Sequence, residues 1–176
     1  MIIGIISDTH DRIVNINTAL RAFQEYGVER IIHCGDWKSP ETLLYFANQI
    51  TQLSIPVSGV LGNNDLDIAS FAKLTDEFPN IDVRVGVFEL LLDGKKAAIY
   101  HGHHVPTLRK VLASEGYDIV FLGHTHKPRI EMDEQKLIIN PGSTAFSIPR
   151  SKQWQPTIVI LNTDTMEATV INLERG

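Results

Sequence analysis

The sequence predicts an α/β fold, α+β towards its end, in which two β-sheets stack face to face with helices outside. Three observations predict it. The first half alternates continuous apolar runs with segments of helical spacing. The second half is almost entirely short strand candidates, two of them joined by a hairpin signal. The strands number about ten, more than one sheet comfortably holds beside four helices, so a two-sheet sandwich is the economical packing.

Each element has its own justification. Residues 2–7 are a continuous apolar run, as expected of a strand buried on both faces. Ile16, Ala19, Leu20, Phe23 and Tyr26 then recur at helical spacing, and Gly27 ends the pattern. Asp11 is placed to cap that helix. Residues 29–34 are the second strand. Ser39-Pro40-Glu41 starts a second helix: a capping hydroxyl, then a proline whose missing N–H costs nothing there. Leu43, Leu44, Ala47 and Ile50 give that helix an apolar face. Residues 56–61 are the third strand, and a short helix covers 67–76. Pro106 opens a fourth helix, with Leu108, Val111 and Leu112 inward and Gly116 at its end. Strands at 83–91, 96–100, 118–122, 129–132, 136–139, 157–162 and 167–172 complete the set, and Asp93-Gly94 is a hairpin turn between the first two.

The 176 residues suit a single domain spanning 1–176, with a sizeable core. No apolar stretch approaches membrane-spanning length, and no basic leader precedes the first strand, so neither membrane nor signal peptide is expected. The single cysteine, Cys34, excludes an internal disulfide, reads as a buried strand residue and points to a cytoplasmic protein. A net charge of −5 disfavours long nucleic acid but permits a small phosphoester. Two divalent cations would bring that −5 to −1 and place the charge at the site.

The chemistry lies at the ends of five apolar runs. These runs lead into Asp8-Thr9-His10, Gly35-Asp36, Gly62-Asn63-Asn64-Asp65, His101-Gly102-His103 and Gly123-His124-Thr125-His126. A core strand has no use for Asp, Asn or His at its end five times over, whereas a metal site does. Asp8 and His10, like His124 and His126, are spaced i, i+2 and would share a side if extended geometry persists past the strand. Gly35, Gly62, Gly102 and Gly123 allow tight turns beside these candidates. The donors are carboxylate and amide oxygen with imidazole nitrogen and no thiolate, which suits Mn, Fe, Ni, Zn or Co. Asp8, Asp36, Asn63, His10, His101, His124 and His126, seven candidates, exceed what one tetrahedral ion needs and suffice for two ions if a carboxylate bridges. Such a pair acidifies a bound water to hydroxide for attack on phosphorus and neutralises the phosphoryl oxygens. Singly, each motif is commonplace turn chemistry; the set is specific.

This set, in this order, resembles the calcineurin-like metallophosphoesterases, and the likeness runs from Met1 to Arg150. The small size and the segment from Asn140 through Ser143 to Arg150 resemble the compact prokaryotic YfcE-like phosphodiesterases. The resemblance implies a four-layer αββα sandwich of two mixed β-sheets flanked by helices. It implies a dinuclear site with Asp8, His10 and His126 on one ion, Asn63, His101 and His124 on the other, and Asp36 bridging. Two divalent ions are expected, Mn²⁺ first, with Ni²⁺, Fe²⁺, Zn²⁺ or Co²⁺ as alternatives. Asp36 and His103 are the expected catalytic residues, and Asn64 and His103 the expected substrate contacts. One departure matters: many members carry a proton-donating His where this chain has Asn64, and a neutral amide delivers no proton. Either His103 protonates the leaving oxygen, or the enzyme favours leaving groups that depart unprotonated.

The remaining candidates read as support. His33 is expected to pack in its strand, His104 to start a helix, and Asp65 to orient ligands or cap a turn. Asn140 to Ser143 form a loop beside the site, and Ser143 is not needed as nucleophile. Arg12, Lys38, Lys127 and Arg150 read as surface charges, Trp37 as a site wall or a helix contact, and Trp154 as an interface residue should a homo-oligomer form. Two other functions compete. One is a non-catalytic scaffold resembling the retromer subunit of this fold, whose ligand set is degraded; this chain has lost none. The other is a nuclease or cyclic-nucleotide phosphodiesterase using the same metals.

Overall fold

The computed structural model describes residues 1–51, 53–145 and 155–173; Arg150, Trp154 and the segment 146–150 lie outside them. The elements run β1 (Ile2–Ile6), α1 (Ile13–Glu25), β2 (Arg30–His33), α2 (Pro40–Thr51), β3 (Val57–Val60), α3 (Ile68–Glu77), β4 (Ile81–Arg84), β5 (Phe88–Leu92), β6 (Lys95–Tyr100), α4 (Val105–Ala113), β7 (Ile119–Leu122), β8 (Pro128–Asp133), β9 (Lys136–Pro141), β10 (Thr157–Asn162) and β11 (Glu167–Asn172).

These strands make two mixed sheets. The first has the order β11-β10-β1-β2-β3-β4 and the second β5-β6-β7-β9-β8. In the first, β1 to β4 run parallel, and β10 pairs antiparallel with both β1 and β11. In the second, β6, β7 and β9 are parallel, and β5 and β8 close the edges antiparallel.

Period-two alternation stacks the layers. Ile3 and Ile5 of β1 face the second sheet, meeting Ile99, Phe121 and Ile139 in the inter-sheet core. Ile6 faces the other way, onto Ile16, Leu20 and Phe23 of α1 and Phe46 of α2. On the far side, Ala98, Tyr100, Val120 and Leu122 pack under Val111 of α4. The order is therefore helices, sheet, sheet, helix, as expected. Among the described residues, no helix is long and apolar enough to cross a membrane.

Three local expectations are corrected. The strand expected over 83–91 is two strands in different sheets, because the chain turns at Gly86, φ +82°, and crosses over. Asp11 does not cap α1; its Oδ1 accepts from the hydroxyls of Ser39, 2.7 Å, and Thr42, 2.5 Å, tying two loops together. Leu44 and Tyr26, expected inward, are 38 % and 49 % exposed, and Phe46 takes the core position on α2. The hairpin at Asp93-Gly94 is present, with positive φ at both residues.

Candidate metal centre

Five parallel strands, β1, β2 and β3 of one sheet and β6 and β7 of the other, end at the same edge of the sandwich. Each chain segment then leaves its sheet, and the residues beyond the strand ends converge. They do not converge through extended i, i+2 geometry. Asp8, His10, Asp36, His124 and His126 all have positive φ, between +41° and +68°. The strands stop and the backbone turns left-handed at the ligand candidates themselves. Asp and His tolerate that region better than most residues, yet each such position costs of order 1 kcal/mol or more unless its surroundings impose it.

The surroundings do impose it. The Asp8 N–H donates to Gly35 O at 2.9 Å and the His10 N–H to Asp36 O at 3.2 Å, stitching the loop after β1 to the loop after β2. Asp8 O accepts from the Ser143 hydroxyl at 3.0 Å and from the Ala145 N–H at 3.1 Å. Asn140 donates to Gly123 O at 2.7 Å beneath the His124 loop. The segment expected as a loop beside the site thus lies under it, with Asn140 and Pro141 in β9; Ser143 is buried with its hydroxyl engaged. Close approach also matters: a Cβ on Gly62 would lie 2.2 Å from Asp36 Oδ1.

Two groups of donor atoms form, each within 4.8 Å: Asp8, His10 and His126, and Asp8, Asp36 and His101. Asp36 presents one oxygen to each side, with Oδ2 at 3.5 Å from His10 Nε2 and Oδ1 at 3.4 Å from His101 Nε2. His126 Nε2 lies 3.0 Å from Asp8 Oδ1. Asn63 Oδ1 stands 3.2 Å from His101 Nε2. His124 is exposed, its ring 5.2 Å from that of His101, outside the two tight groups.

The donor set fits a cation on two observations. His101 Nδ1 donates to the carbonyl of Cys34 at 2.8 Å, which leaves Nε2 facing the oxygens of Asn63 and Asp36. Three electron-rich atoms then point at one another unless the ring gains a proton or a cation lies among them. His10 Nε2 is buried with no hydrogen-bond partner among the described residues, beside two carboxylates.

Protonation follows from this crowding. Burial alone would raise the Asp36 carboxyl; bonds and charge from His101, with two bonds from Asn64, win and hold it below the ordinary carboxylate range. Burial pulls His101 down, yet Asp36 and the Asp8 charge leave it above the usual imidazole value. The Asp8 carboxylate raises His126. Burial and the His101 charge lower both His103 and His124.

Asn64, expected at the substrate, is turned onto Asp36. Its backbone N–H reaches Oδ1 at 2.9 Å and its amide reaches Oδ2 at 2.7 Å. His103 is exposed over the cluster, its ring 5.6 Å from His101 and 5.7 Å from Tyr100. His104 is the N-cap residue of α4 and is exposed. His33 is buried, stacked on Trp37 at 3.4 Å, and burial holds its pKa well down. Trp37 is fully buried against Phe46 and forms no site wall. Asp65 does more than a turn cap: buried at 3 % exposure, it accepts from the backbone of Asp36, Lys38 and Gly62, clamping two ligand loops. The signal for it was its place three residues after Gly62.

Residues 1–166 match the family model described as "Calcineurin-like phosphoesterase superfamily domain". A curated relative, "Phosphodiesterase MJ0936" of Methanocaldococcus jannaschii, is 34 % identical over 174 residues, covering 99 % of this chain and 100 % of the relative. A solved structure described as that of a novel archaeal phosphodiesterase superposes with a TM-score of 0.83 at 34 % identity, covering 98 % of this chain and 100 % of the other. YfcE, a phosphoesterase from E. coli, gives 0.68 at 17 % identity, covering 99 % and 100 %. Vps29 of Entamoeba histolytica, complexed with zinc, gives 0.66 at 19 %, covering 97 % and 90 %. These last two show the fold alone.

Proposed function

The chain belongs to the calcineurin-like phosphoesterase superfamily, and from that premise we propose that it hydrolyses phosphodiesters at a site for two divalent cations. The observation that carries this reading is Asp36, whose two oxygens face two separate histidine groups. Asp8, His10 and His126 would hold one cation. Asn63, His101 and His124 would hold the other, and Asp36 would bridge. Mn²⁺ is the first choice for this mixed oxygen and nitrogen set, with Ni²⁺, Fe²⁺, Zn²⁺ or Co²⁺ as alternatives. When bound, such a pair supplies a water nucleophile at neutral pH and neutralises phosphoryl charge.

The chain's own residues do the rest. Asn64 and Asp65 fix Asp36 in place, one through its carboxylate and one through its backbone. The Cys34 carbonyl fixes the tautomer of His101. His103, exposed over the cluster with its ring 5.6 Å from that of His101, would meet substrate and hold a proton for the leaving oxygen. Asn64 has no proton to give, so unless His103 supplies one the enzyme favours leaving groups that depart unprotonated. The phosphodiesterase name of the relative at 34 % identity supports diesters over monoesters. A small substrate, one unit spanning 1–176 and a cytoplasmic location, the last supported by a free buried Cys34, complete the proposal.

The scaffold reading predicts lost ligands, and all seven candidates stand at one edge of the sandwich. A nuclease would share the metals, but the net charge of −5 favours a small ester. The test is a panel of aryl and alkyl phosphodiesters, phosphomonoesters and cyclic nucleotides with each metal in turn. Turnover of diesters above the rest supports the reading; metal binding without hydrolysis of any ester supports the scaffold instead.

A further inference from the structure

We propose that the apolar cleft beside the metal centre receives an aromatic or similarly flat apolar ester group of the substrate. The inference rests on the phosphoesterase reading above and goes beyond it to the class of organic group selected.

The cleft has a volume of about 460 Å³, within the size range of small-molecule sites. Leu66, Ile68 and Val85 line it, at 83 %, 51 % and 64 % exposed. Single exposed apolar residues need no explanation. Here three from two segments, the end of the loop after β3 with the first residue of α3, and the turn after β4, line one cavity. None serves the core: α3 buries only Phe71. Gly86, at φ +82°, turns the chain away just after Val85.

The cleft and the metal centre share a wall. Asn63 lines the cleft and holds its Oδ1 3.2 Å from His101 Nε2; His103 lines it at the same end. A phosphoryl group at the cluster therefore has this cavity as its neighbour. Apart from the imidazoles of His103 and His104, the lining carries no cationic side chain. Asp65 is buried and engaged by three backbone N–H groups, and the Tyr100 hydroxyl is bonded to the backbone of His104. Away from those imidazoles a charged ester group would leave water without compensation, whereas an apolar ring gains by leaving it.

The test compares phenylphosphonate with methylphosphonate on the full Zn²⁺-loaded protein. Phenylphosphonate is expected to bind about tenfold tighter, and to shift the methyl NMR signals of Leu66, Ile68 and Val85 where methylphosphonate does not. Leu66→Ser, Ile68→Ser and Val85→Ser are exposed substitutions and are expected to erase the preference. Equal binding, unmoved methyl signals or a preference that survives the substitutions overturns the proposal. So does a wild-type dimer that the same substitutions dissolve, since the side chains would then serve contact between copies. Aryl-selective binding with no hydrolysis of any phosphodiester leaves the cleft assigned and removes the phosphodiesterase reading instead.

Discussion

Asp8, Asp36 and His101 lie at 0 %, 1 % and 0 % exposure, whereas Asn63, His103 and His124 stand exposed at neighbouring strand ends. The first three form a floor. Asp8 and Asp36 hold left-handed backbone under bonds from at least two other loops, and the His101 ring is anchored on a carbonyl. The second three form a rim with fewer restraints. One device, a strand ending in a polar residue, thus yields two degrees of constraint. The floor suits fixed charge that must not relax during reaction. On the rim, Asn63 and His124 would complete the second cation's donor set, and His103 suits a group that meets varied substrates. Floor changes are therefore expected to abolish chemistry, and a change at His103 to retune it.

Asp36→Asn breaks the floor most directly, since it removes the charge facing both histidine groups. A kcat loss of about 10³-fold or more is expected in steady-state assays of an aryl phosphodiester. A loss under tenfold would place Asp36 on the rim. Gly62→Ala is next. Its Cβ would sit 2.2 Å from Asp36 Oδ1, so the carboxylate must move. About 10²-fold loss in metal affinity is expected by calorimetry, comparable to the effect of disturbing groups that orient ligands. An unaltered affinity would show that Asp36 is not held as tightly as described.

Much of this contrast was legible in the residue order. Five apolar runs ending in Asp, Asn or His gave both the edge of the sandwich and the candidates gathered there. The two-sheet packing followed from strand number and from alternation in runs such as Ile2 to Ile6. What was not legible was backbone conformation. An i, i+2 spacing assumes extended chain, and Asp8, His10, His124 and His126 are left-handed, with long-range bonds holding Asp8 and His10 so. Asp11 reads as a local cap, and Asp65 as a ligand-orienting residue or a turn cap; both bind loops distant in sequence. The split of 83–91 at Gly86 reflects which sheet each half joins, and a local pattern does not encode that.

A third prediction uses protonation. His101 and His126 sit above the ordinary 6.5 because carboxylates face them. In the metal-free protein the stability from these pairs is present below pH 6.5 and lost as pH rises through the folded values. Cations must displace those protons, so metal affinity moves the opposite way and rises with pH. Thermal melts of metal-free and metal-loaded protein should therefore diverge above about pH 6.5, with proton release in calorimetry. Parallel melts with no proton release would mean neutral imidazoles at His101 and His126. The last effect belongs to the rim: His103→Ala should slow alkyl phosphodiesters about 10²-fold, the low end for a proton donor, and aryl ones less. An unchanged alkyl rate would remove His103 as proton donor.

The central claim is a pair of cations bridged by Asp36. Its most direct measurement is the number of Mn²⁺ ions bound per chain, by titration and elemental analysis, for the wild type and Asp36→Asn. Two are expected for the wild type and fewer than two for the variant. One ion in the wild type, or two retained by Asp36→Asn, would contradict it.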